Sequence, residues 1–277
     1  MKLHFSKMHG LGNDFVIIDG VTQQVSLAKA QVQYLADRHL GIGCDQLLLL
    51  EKPTQAAADF KYRIYNANGC EVEQCGNGAR CIAKFVFKKG LTNKKTCVFE
   101  TKKGLITTTL KDNNNVSVTM GAPKFSPTEI PLLVAEQQTQ YEINYQHQQL
   151  NFFALSMGNP HAVFIVEEVM TAPVAELGSF VEHHALFPEG VNVGFMQIVS
   201  PQEIKLRVHE RHVAETKACG SGACAAVVAG IFQKKLATTV KVILLGGELE
   251  ITWQGINHPV VMLGSATSVF DGIVKLA

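Results

Sequence analysis

Alternation of apolar and polar positions dominates the sequence and predicts many short β-strands. In residues 60–65 and 204–209, for example, an apolar side chain occupies every second position, as in a strand with one buried face. The predicted strands of the first half are residues 16–19, 47–50, 60–65, 97–100, 105–110 and 116–120. Those of the second half are residues 152–156, 162–166, 193–199, 204–209, 240–245, 249–253 and 260–263.

Helical spacing is confined to a few segments. Two helices are predicted to begin just after Cys75 and Cys219, a third to span residues 26–38 with Ser26 as its N-cap, and a fourth to lie near residues 174–184. Residues 223–232 contain no charged side chain, which predicts a helix surrounded by protein. Strands around one buried helix in each half favour an α+β fold of two barrel-like domains.

The two helix-starting cysteines belong to an internal repeat. Cys75-Gly76-Asn77-Gly78-Ala79 matches Cys219-Gly220-Ser221-Gly222-Ala223 at four of five positions, 144 residues apart. The match extends backwards at the same offset, to Glu71 and Glu215, Arg63 and Arg207, and Lys61 and Lys205. It indicates a duplicated unit, and it predicts that two equivalent thiols face one another.

Composition narrows the classes of function. The chain has 277 residues, a net charge of +1 and seven cysteines. The length suits two domains of ordinary size, and the absence of a basic block argues against a nucleic-acid partner. No apolar stretch approaches membrane length, and the start lacks a signal-peptide pattern, so we expect a cytoplasmic protein without a membrane contact. An odd number of cysteines fits a reducing compartment.

The position of Cys75 and Cys219 suggests acid–base chemistry. A cysteine at a helix start lies beside free N–H groups and the positive end of the helix dipole, which we expect to lower its pKa. The same N–H groups can bind a carboxylate. Zinc is the rival interpretation, but Cys81 lies roughly 240° around the helix from Cys75, and Cys224 roughly 140° from Cys219. Neither pair could hold one ion. We interpret Cys44, Cys70 and Cys97 as small buried hydrophobic residues.

Five motifs together resemble the diaminopimelate epimerase family. They are Lys7-Met8-His9-Gly10-Leu11-Gly12-Asn13-Asp14-Phe15, Gly41-Ile42-Gly43-Cys44-Asp45-Gln46, Tyr62-Arg63-Ile64-Tyr65-Asn66-Ala67-Asn68-Gly69, Gln74-Cys75-Gly76-Asn77-Gly78-Ala79-Arg80-Cys81 and Ala218-Cys219-Gly220-Ser221-Gly222-Ala223-Cys224. The resemblance runs from Lys7 to Gly272 and is weakest from about residue 126 to 150.

The resemblance implies two pseudo-symmetric domains, each a β-barrel-like mixed sheet around a central helix. The C-terminal tail would return to the first domain, giving residues 1–119 with 265–277, and residues 120–264. It implies interconversion of LL- and meso-2,6-diaminopimelate for lysine and peptidoglycan-precursor synthesis, without pyridoxal phosphate, metal or other cofactor. Two opposed bases suit this reaction, because inversion takes a proton from one face of a carbon and returns one to the other.

The family's functional residues fall on matching positions. Cys75 and Cys219 would be the two catalytic bases, and His161 and Glu210 would adjust their pKa values. Phe270 falls where the family has an aromatic residue linked to homodimer formation. The expected substrate contacts are Asn13, Gln46, Asn66, Gly76, Asn77, Asn159, Asn192, Glu210, Arg211, Gly220 and Ser221.

Two departures from the family pattern concern loops. His212 and Ala214 stand where glycines are usual, and they would strain the loop that carries Arg211 if those glycines adopt positive φ. Ser265 stands where proline is common. Two alternatives stay open at this point, a proline or hydroxyproline racemase-type enzyme of the same fold and a non-catalytic binding module. The racemase's usual Cys-Gly-His-Gly is absent, and a binding module gives no reason for two matched cysteines.

Overall fold

A computed structural model describes residues 2–72, 75–113 and 115–276. The chain divides into two compact units, one made of Met1–Thr119 with Leu263–Ala277 and the other of Met120–Met262. Each unit has its own hydrophobic core.

The first unit is built from hairpins joined by two parallel pairings. Its strands are β1 (Lys2–Gly10), β2 (Asn13–Asp19), β3 (Gln46–Glu51), β4 (Phe60–Asn66), β5 (Glu71–Val72), β6 (Thr96–Thr101), β7 (Gly104–Leu110) and β8 (Asn115–Thr119). Its helices are α1 (Lys29–Ala36) and α2 (Gly76–Lys88). The pairings β1–β2, β3–β4, β4–β5, β6–β7 and β7–β8 are antiparallel, whereas β2–β3 and β4–β6 are parallel.

The second unit repeats this pattern. Its strands are β9 (Tyr141–Tyr145), β10 (Gln148–Ser156), β11 (Pro160–Ile165), β12 (Asn192–Ser200), β13 (Glu203–Glu210), β14 (Ala214–Thr216), β15 (Thr239–Leu244) and β16 (Gly247–Thr252). Next in the chain are β17 (Val261–Ser265), which spans the boundary between the units, and β18 (Thr267–Lys275), which belongs to the first unit. The helices of the second unit are α3 (Val174–Glu182) and α4 (Gly220–Phe232), with short 3₁₀ turns at Pro127–Glu129 and Val169–Thr171. The parallel pairs β11–β12 and β13–β15 correspond to β2–β3 and β4–β6.

One helix lies at the centre of each unit. α2 packs against β1, β2, β3, β7 and β8, and α4 packs against β10, β11, β12, β13, β15 and β16. Because strands surround α4, its uncharged side chains from Ala223 to Ala229 are all buried, as the sequence predicts. The predicted fold class is confirmed: an α+β fold with two pseudo-symmetric, sheet-dominated halves, each around a central helix.

The C-terminal strand returns to the first unit. β18 pairs antiparallel with β1 along nearly its whole length, from Lys2 opposite Lys275 to His9 opposite Thr267. The tail therefore completes the sheet of the first unit.

Local predictions fail at one helix start. The predicted N-cap Ser26 is wrong, because α1 begins at Lys29 with Ala28 as N-cap. The side chain of Gln31 accepts the Ala28 N–H at 3.0 Å, so a residue of the first turn supplies the capping contact. The helix predicted near residues 174–184 is present as α3.

Candidate active site

Cys75 is the N-cap of the central helix of the first unit. Its backbone is extended (φ −144°, ψ 113°), and its sulfur accepts the Gly78 N–H at 3.4 Å. The thiol is half-buried, and its Sγ lies 3.7 Å from Asn13 Oδ1. Glu73 and Gln74, which precede Cys75 in the predicted motif, lie outside the described residues. A thiol at this position has a helix N-terminus on one side and a side-chain amide on the other.

A tight turn positions Asn13. Leu11 and Gly12 both have positive φ (56° and 84°), which is the geometry of a two-residue hairpin turn between β1 and β2. Asn13 Oδ1 accepts a hydrogen bond from Asn77 Nδ2 at 3.3 Å, and Asn13 Nδ2 donates to Asp45 Oδ2 at 3.0 Å. The first unit thereby brings Asn13, Cys75 and Asn77 together.

Gln46 and Asn66 form a second polar pair in this unit. They lie opposite each other in the β3–β4 ladder, and Gln46 Nε2 donates to Asn66 Oδ1 at 2.8 Å. Gln46 Oε1 is buried and accepts no hydrogen bond within the described part of the chain. A buried carbonyl oxygen without a donor is suited to an ammonium group of a ligand.

An ion-pair network that no sequence pattern predicts holds the segments of Asn13 and Gln46. Asp14 binds Arg38 through two hydrogen bonds of 2.7 and 3.0 Å and pairs with Lys7 at 2.6 Å. Arg38 also reaches Asp45 at 2.7 Å. Burial opposes ionisation of Asp14, but these cations hold its pKa far below the usual range. Because Asp14 and Asp45 adjoin Asn13 and Gln46 in the sequence, the network fixes both segments.

Cys219 is the N-cap of α4 and repeats the geometry of Cys75. Its sulfur accepts the Gly222 N–H at 3.4 Å and lies 3.6 Å from Ser221 Oγ. Cys219 is only 4% exposed. Burial, followed by the charge of Glu210, raises the pKa of Cys219 well above its ordinary value. The expectation of a lowered thiol pKa is therefore wrong for Cys219, because burial and the Glu210 charge outweigh the hydrogen bonds from Ser221 and the Gly222 N–H.

Glu210 is the acidic partner of Cys219. Its carboxyl accepts hydrogen bonds from the Thr216 hydroxyl and from Cys219. Burial raises the pKa of Glu210, and those two hydrogen bonds oppose the effect. The Cys219 sulfur and the Glu210 carboxyl thus form a buried pair that favours a protonated thiol.

His161 connects to Cys219 through two side chains. Its Nε2 lies 3.1 Å from Asn159 Oδ1, Asn159 Nδ2 donates to Ser221 Oγ at 3.3 Å, and Ser221 contacts the Cys219 sulfur. Burial, with a smaller effect of the nearby Arg211 charge, lowers the pKa of His161 to about 3. The imidazole is therefore neutral at physiological pH.

Asn192 fixes the backbone at Arg211. Asn192 Nδ2 donates to the Pro160 carbonyl at 2.9 Å, and its Oδ1 accepts the Arg211 N–H at 3.1 Å. The Arg211 guanidinium donates to the Glu189 carbonyl at 3.0 Å. The second unit therefore connects Asn192 with Arg211, and it connects Asn159, His161, Ser221, Glu210 and Cys219 in one polar cluster.

The remaining predictions concern single residues. Gly76 and Gly220 are the first residues of α2 and α4, so their N–H groups belong to the two helix starts. Phe270 lies on β18 and is 50% exposed. Cys44 and Cys97 are buried as expected, but the prediction for Cys70 is wrong. Cys70 is exposed because it ends the turn between β4 and β5, where it contacts the Asn68 side chain.

Two features of the described residues concern metal binding and membrane spanning. Within residues 2–72, 75–113 and 115–276, no three His, Cys, Asp or Glu side chains are grouped to hold a metal ion. None of the helices in those ranges combines the length and apolar character needed to cross a membrane.

Solved structures with a similar fold include amino-acid epimerases. A hydroxyproline epimerase from Agrobacterium vitis, with bound trans-4-hydroxy-L-proline, superimposes with a TM-score of 0.70 over 99% of this chain and 92% of its own, at 13% identity. A phenazine biosynthesis protein of the PhzF family from Bacillus anthracis gives a TM-score of 0.67 over both full chains, at 14% identity. At these identities the likeness shows the fold alone.

Comparison with the sequences of known proteins identifies the family of this chain. The chain is 52% identical to a diaminopimelate epimerase of Teredinibacter turnerae over 276 residues, which cover all of both proteins. It is 51% identical to a diaminopimelate epimerase of Nitrosospira multiformis, again over the full chain and 99% of the relative. The sequence profile of the diaminopimelate epimerase family matches residues 5–126 and 153–269. The chain belongs to the diaminopimelate epimerase family.

Proposed function

We propose that this chain interconverts LL- and meso-2,6-diaminopimelate, with Cys75 and Cys219 as a thiolate–thiol pair of bases. The observation that carries the mechanism is the equivalence of the two cysteines. Each is the N-cap of the central helix of its unit, and each accepts the N–H of the third following residue at 3.4 Å. The product would supply lysine and peptidoglycan-precursor synthesis.

Two bases suit the inversion of an amino-acid α-carbon. One group removes the α-proton from one face, and the other delivers a proton to the opposite face. Burial, followed by the charge of Glu210, favours the protonated form of Cys219, and the resemblance to the family makes it the proton donor when the LL isomer reacts. Cys75 is then the base that removes the proton of the LL isomer. In the reverse direction the roles exchange, because the forward reaction leaves Cys219 as thiolate and Cys75 as thiol.

The helix starts stabilise the charge that develops during proton removal. Loss of the α-proton places negative charge on the reacting carboxylate. The N–H groups of Gly76, Asn77, Gly220 and Ser221, at the positive ends of α2 and α4, are suited to bind that carboxylate. This stabilisation needs neither pyridoxal phosphate nor a metal.

Further polar side chains would recognise the distal amino-acid end of the substrate. Gln46 Oε1 supplies a buried acceptor for the distal ammonium, and the Arg211 guanidinium supplies donors for the distal carboxylate. The other expected contacts are Asn13, Asn66, Asn159, Asn192 and Glu210. A substrate with charged groups at both ends uses this set better than proline does.

The remaining proposals concern assembly and location. Phe270 is a large apolar side chain that is half exposed on β18, which supports a homodimer. Seven cysteines, none of them in a disulfide among the described residues, suit the reducing cytoplasm. The near-neutral net charge of +1 offers no electrostatic basis for binding nucleic acid or an anionic membrane surface.

Incubation with LL-diaminopimelate in D₂O tests the proposed function. We expect meso-diaminopimelate that carries deuterium at the inverted carbon, without added cofactor and with turnover unchanged by EDTA. The control is L-proline under the same conditions, for which we expect no exchange. Turnover of proline but not of diaminopimelate would favour a racemase-type enzyme, and exchange of neither would favour a binding module. Loss of activity in EDTA, restored by a divalent metal, would contradict the cofactor-free mechanism.

A further inference from the structure

A buried carboxylate at the end of α3 holds the segment that carries Glu210 and Arg211. Glu182 Oε2 lies 2.8 Å from His209 Nε2, and Glu182 Oε1 accepts the His212 N–H at 2.6 Å. Glu182 and His209 are both buried. Glu182 thus binds the residue before Glu210 and the residue after Arg211.

The held segment is sterically strained. His212 has φ 64° and Ala214 has φ 78°, values that residues with a β-carbon adopt at a cost. This confirms the expected strain at the two positions where the family usually has glycine. The hydrogen bond from the His212 N–H to Glu182 forms at the first of them and opposes relaxation of that residue.

The ionisation of Glu182 suits this contact. Burial alone would raise its pKa, but the His212 N–H and His209 hold the pKa below its ordinary value, so the group is a carboxylate. His209 Nδ1 is buried and makes no hydrogen bond within the described residues. A proton on Nδ1 would be a buried donor without an acceptor, so Nε2 is the ring nitrogen that donates to Glu182.

Space for this arrangement comes from Gly178 on α3. A β-carbon at Gly178 would lie 2.5 Å from His209 Cβ and 2.7 Å from its Cγ. The helix therefore accepts the imidazole only because residue 178 has no side chain.

We infer that Glu182 is a positioning residue for substrate recognition, which acts by holding the strained segment between His209 and His212. It makes no proposed contact with the substrate itself. The inference rests on the proposed function, in which Arg211 reads the distal end of diaminopimelate. Glu210, which adjoins Cys219, has a separate hydrogen bond from the Thr216 hydroxyl. Loosening the segment at His212 should therefore weaken substrate binding through Arg211 more than the proton transfers.

Glu182→Gln is the first test, because an amide provides one acceptor oxygen where the carboxylate serves two donors. We expect KM for LL-diaminopimelate to rise about tenfold while kcat falls less than about threefold. Adding His212→Gly should return KM to within about threefold of the unmodified enzyme, since glycine adopts the positive φ without strain. Glu176→Gln is the matched control, because Glu176 is an exposed residue of the same helix, and we expect no change in KM.

Gly178→Ala provides a second route if Glu182→Gln does not fold. This substitution leaves Glu182 intact, and alanine has a high helix propensity. Its β-carbon would displace the His209 ring, so we expect KM to rise at least about threefold. An unchanged KM in Glu182→Gln would overturn the inference. If Glu182→Gln does not fold, an unchanged KM in Gly178→Ala would overturn it. So would a raised KM that His212→Gly does not lower. The proposed function fails separately, through an unmodified protein that does not epimerise diaminopimelate at all.

Discussion

The two thiols have matching backbone positions and different side-chain surroundings. Cys219 is buried against Glu210, whereas Cys75 is half-buried against Asn13. In the repeat, Asn66 occupies the position of the first copy that Glu210 occupies in the second, nine residues before the cysteine. The first copy therefore has no carboxyl at that position, and the side chain found next to the Cys75 sulfur is the amide of Asn13.

Replacing Glu210 by Gln should make Cys219 more acidic. A carboxylate beside the sulfur disfavours a second negative charge, and its removal favours the thiolate. Because only the thiolate reacts with iodoacetamide, the alkylation profile of Cys219 should shift to lower pH. Peptide mapping by mass spectrometry follows Cys219 separately from the other cysteines.

The control for this experiment is Glu215→Gln. It removes an equal charge four residues before Cys219, but Glu215 pairs with Arg207 instead of the thiol. The profile of Cys219 should stay in place in this variant. A shift of equal size in both variants would mean that Glu210 has no specific effect on the sulfur.

Ala214→Gly should stabilise the protein. A β-carbon in the left-handed region costs about 1–2 kcal/mol of folding stability, which glycine avoids. The greater freedom of glycine in the unfolded chain offsets about 0.5–1 kcal/mol of that gain. We expect a net gain of about 0.5–1 kcal/mol in the free energy of unfolding, measured with urea. The control Ala175→Gly, at an exposed site in α3, should lose about 1 kcal/mol. Equal losses in the two variants would show that residue 214 is not strained.

At the scale of elements, sequence patterns predict the centre of each unit better than its edges. The helices after both cysteines and strands such as β3 and β4 have clear periodicity, and all are present. Local sequence patterns do not predict β1, β5, β9, β14 and β18. β5 and β14 are too short to show a period, at two and three residues. β18 exists through its pairing with β1, a contact across the whole chain length that no local pattern encodes.

Alanine at the second glycine of each Cys-Gly-x-Gly motif should affect the two helix starts differently. A β-carbon at Gly222 would lie 3.2 Å from Cys219 Sγ and 3.0 Å from Val208, whereas at Gly78 its nearest described neighbours are 3.4 Å away. Gly222→Ala should therefore displace the thiol and lower kcat at least about tenfold, and Gly78→Ala should stay within about threefold. Circular dichroism should show that both variants fold. A larger loss in Gly78→Ala would contradict this geometry.

For the molecule as a whole, the repeat predicts which residues belong to the proposed site, but not how those residues contact one another. The offset of 144 residues identifies both cysteines and the pairing of Asn66 with Glu210. It could not predict that Glu210 contacts Cys219, since that depends on how β13 and α4 pack. Glu182 was also missed, because a single acidic residue in an amphipathic helix resembles a solvent-exposed one until His209 and His212 are placed around it.

The exposed surface of β18 gives a prediction about assembly. Phe270→Ser should convert the proposed homodimer to a monomer, because it removes a large, half-exposed apolar side chain. Sedimentation velocity should show a species of twice the chain mass for the unmodified protein and of one chain mass for the variant. Val199→Ser, at an exposed position of β12, is the control and should leave the dimer intact. An unmodified protein that sediments as a monomer would contradict the proposed assembly.

Hydrogen exchange by single-thiol variants tests the central claim, that each cysteine serves one face of the α-carbon. Cys75→Ala and Cys219→Ala should each lower kcat for epimerisation by about 10²–10⁴-fold while KM changes little. In D₂O, Cys219→Ala retains Cys75 and should exchange the α-proton of LL-diaminopimelate without inversion. Cys75→Ala should exchange only that of the meso isomer. Equal exchange from both isomers in either variant would contradict the assignment of one thiol to each face.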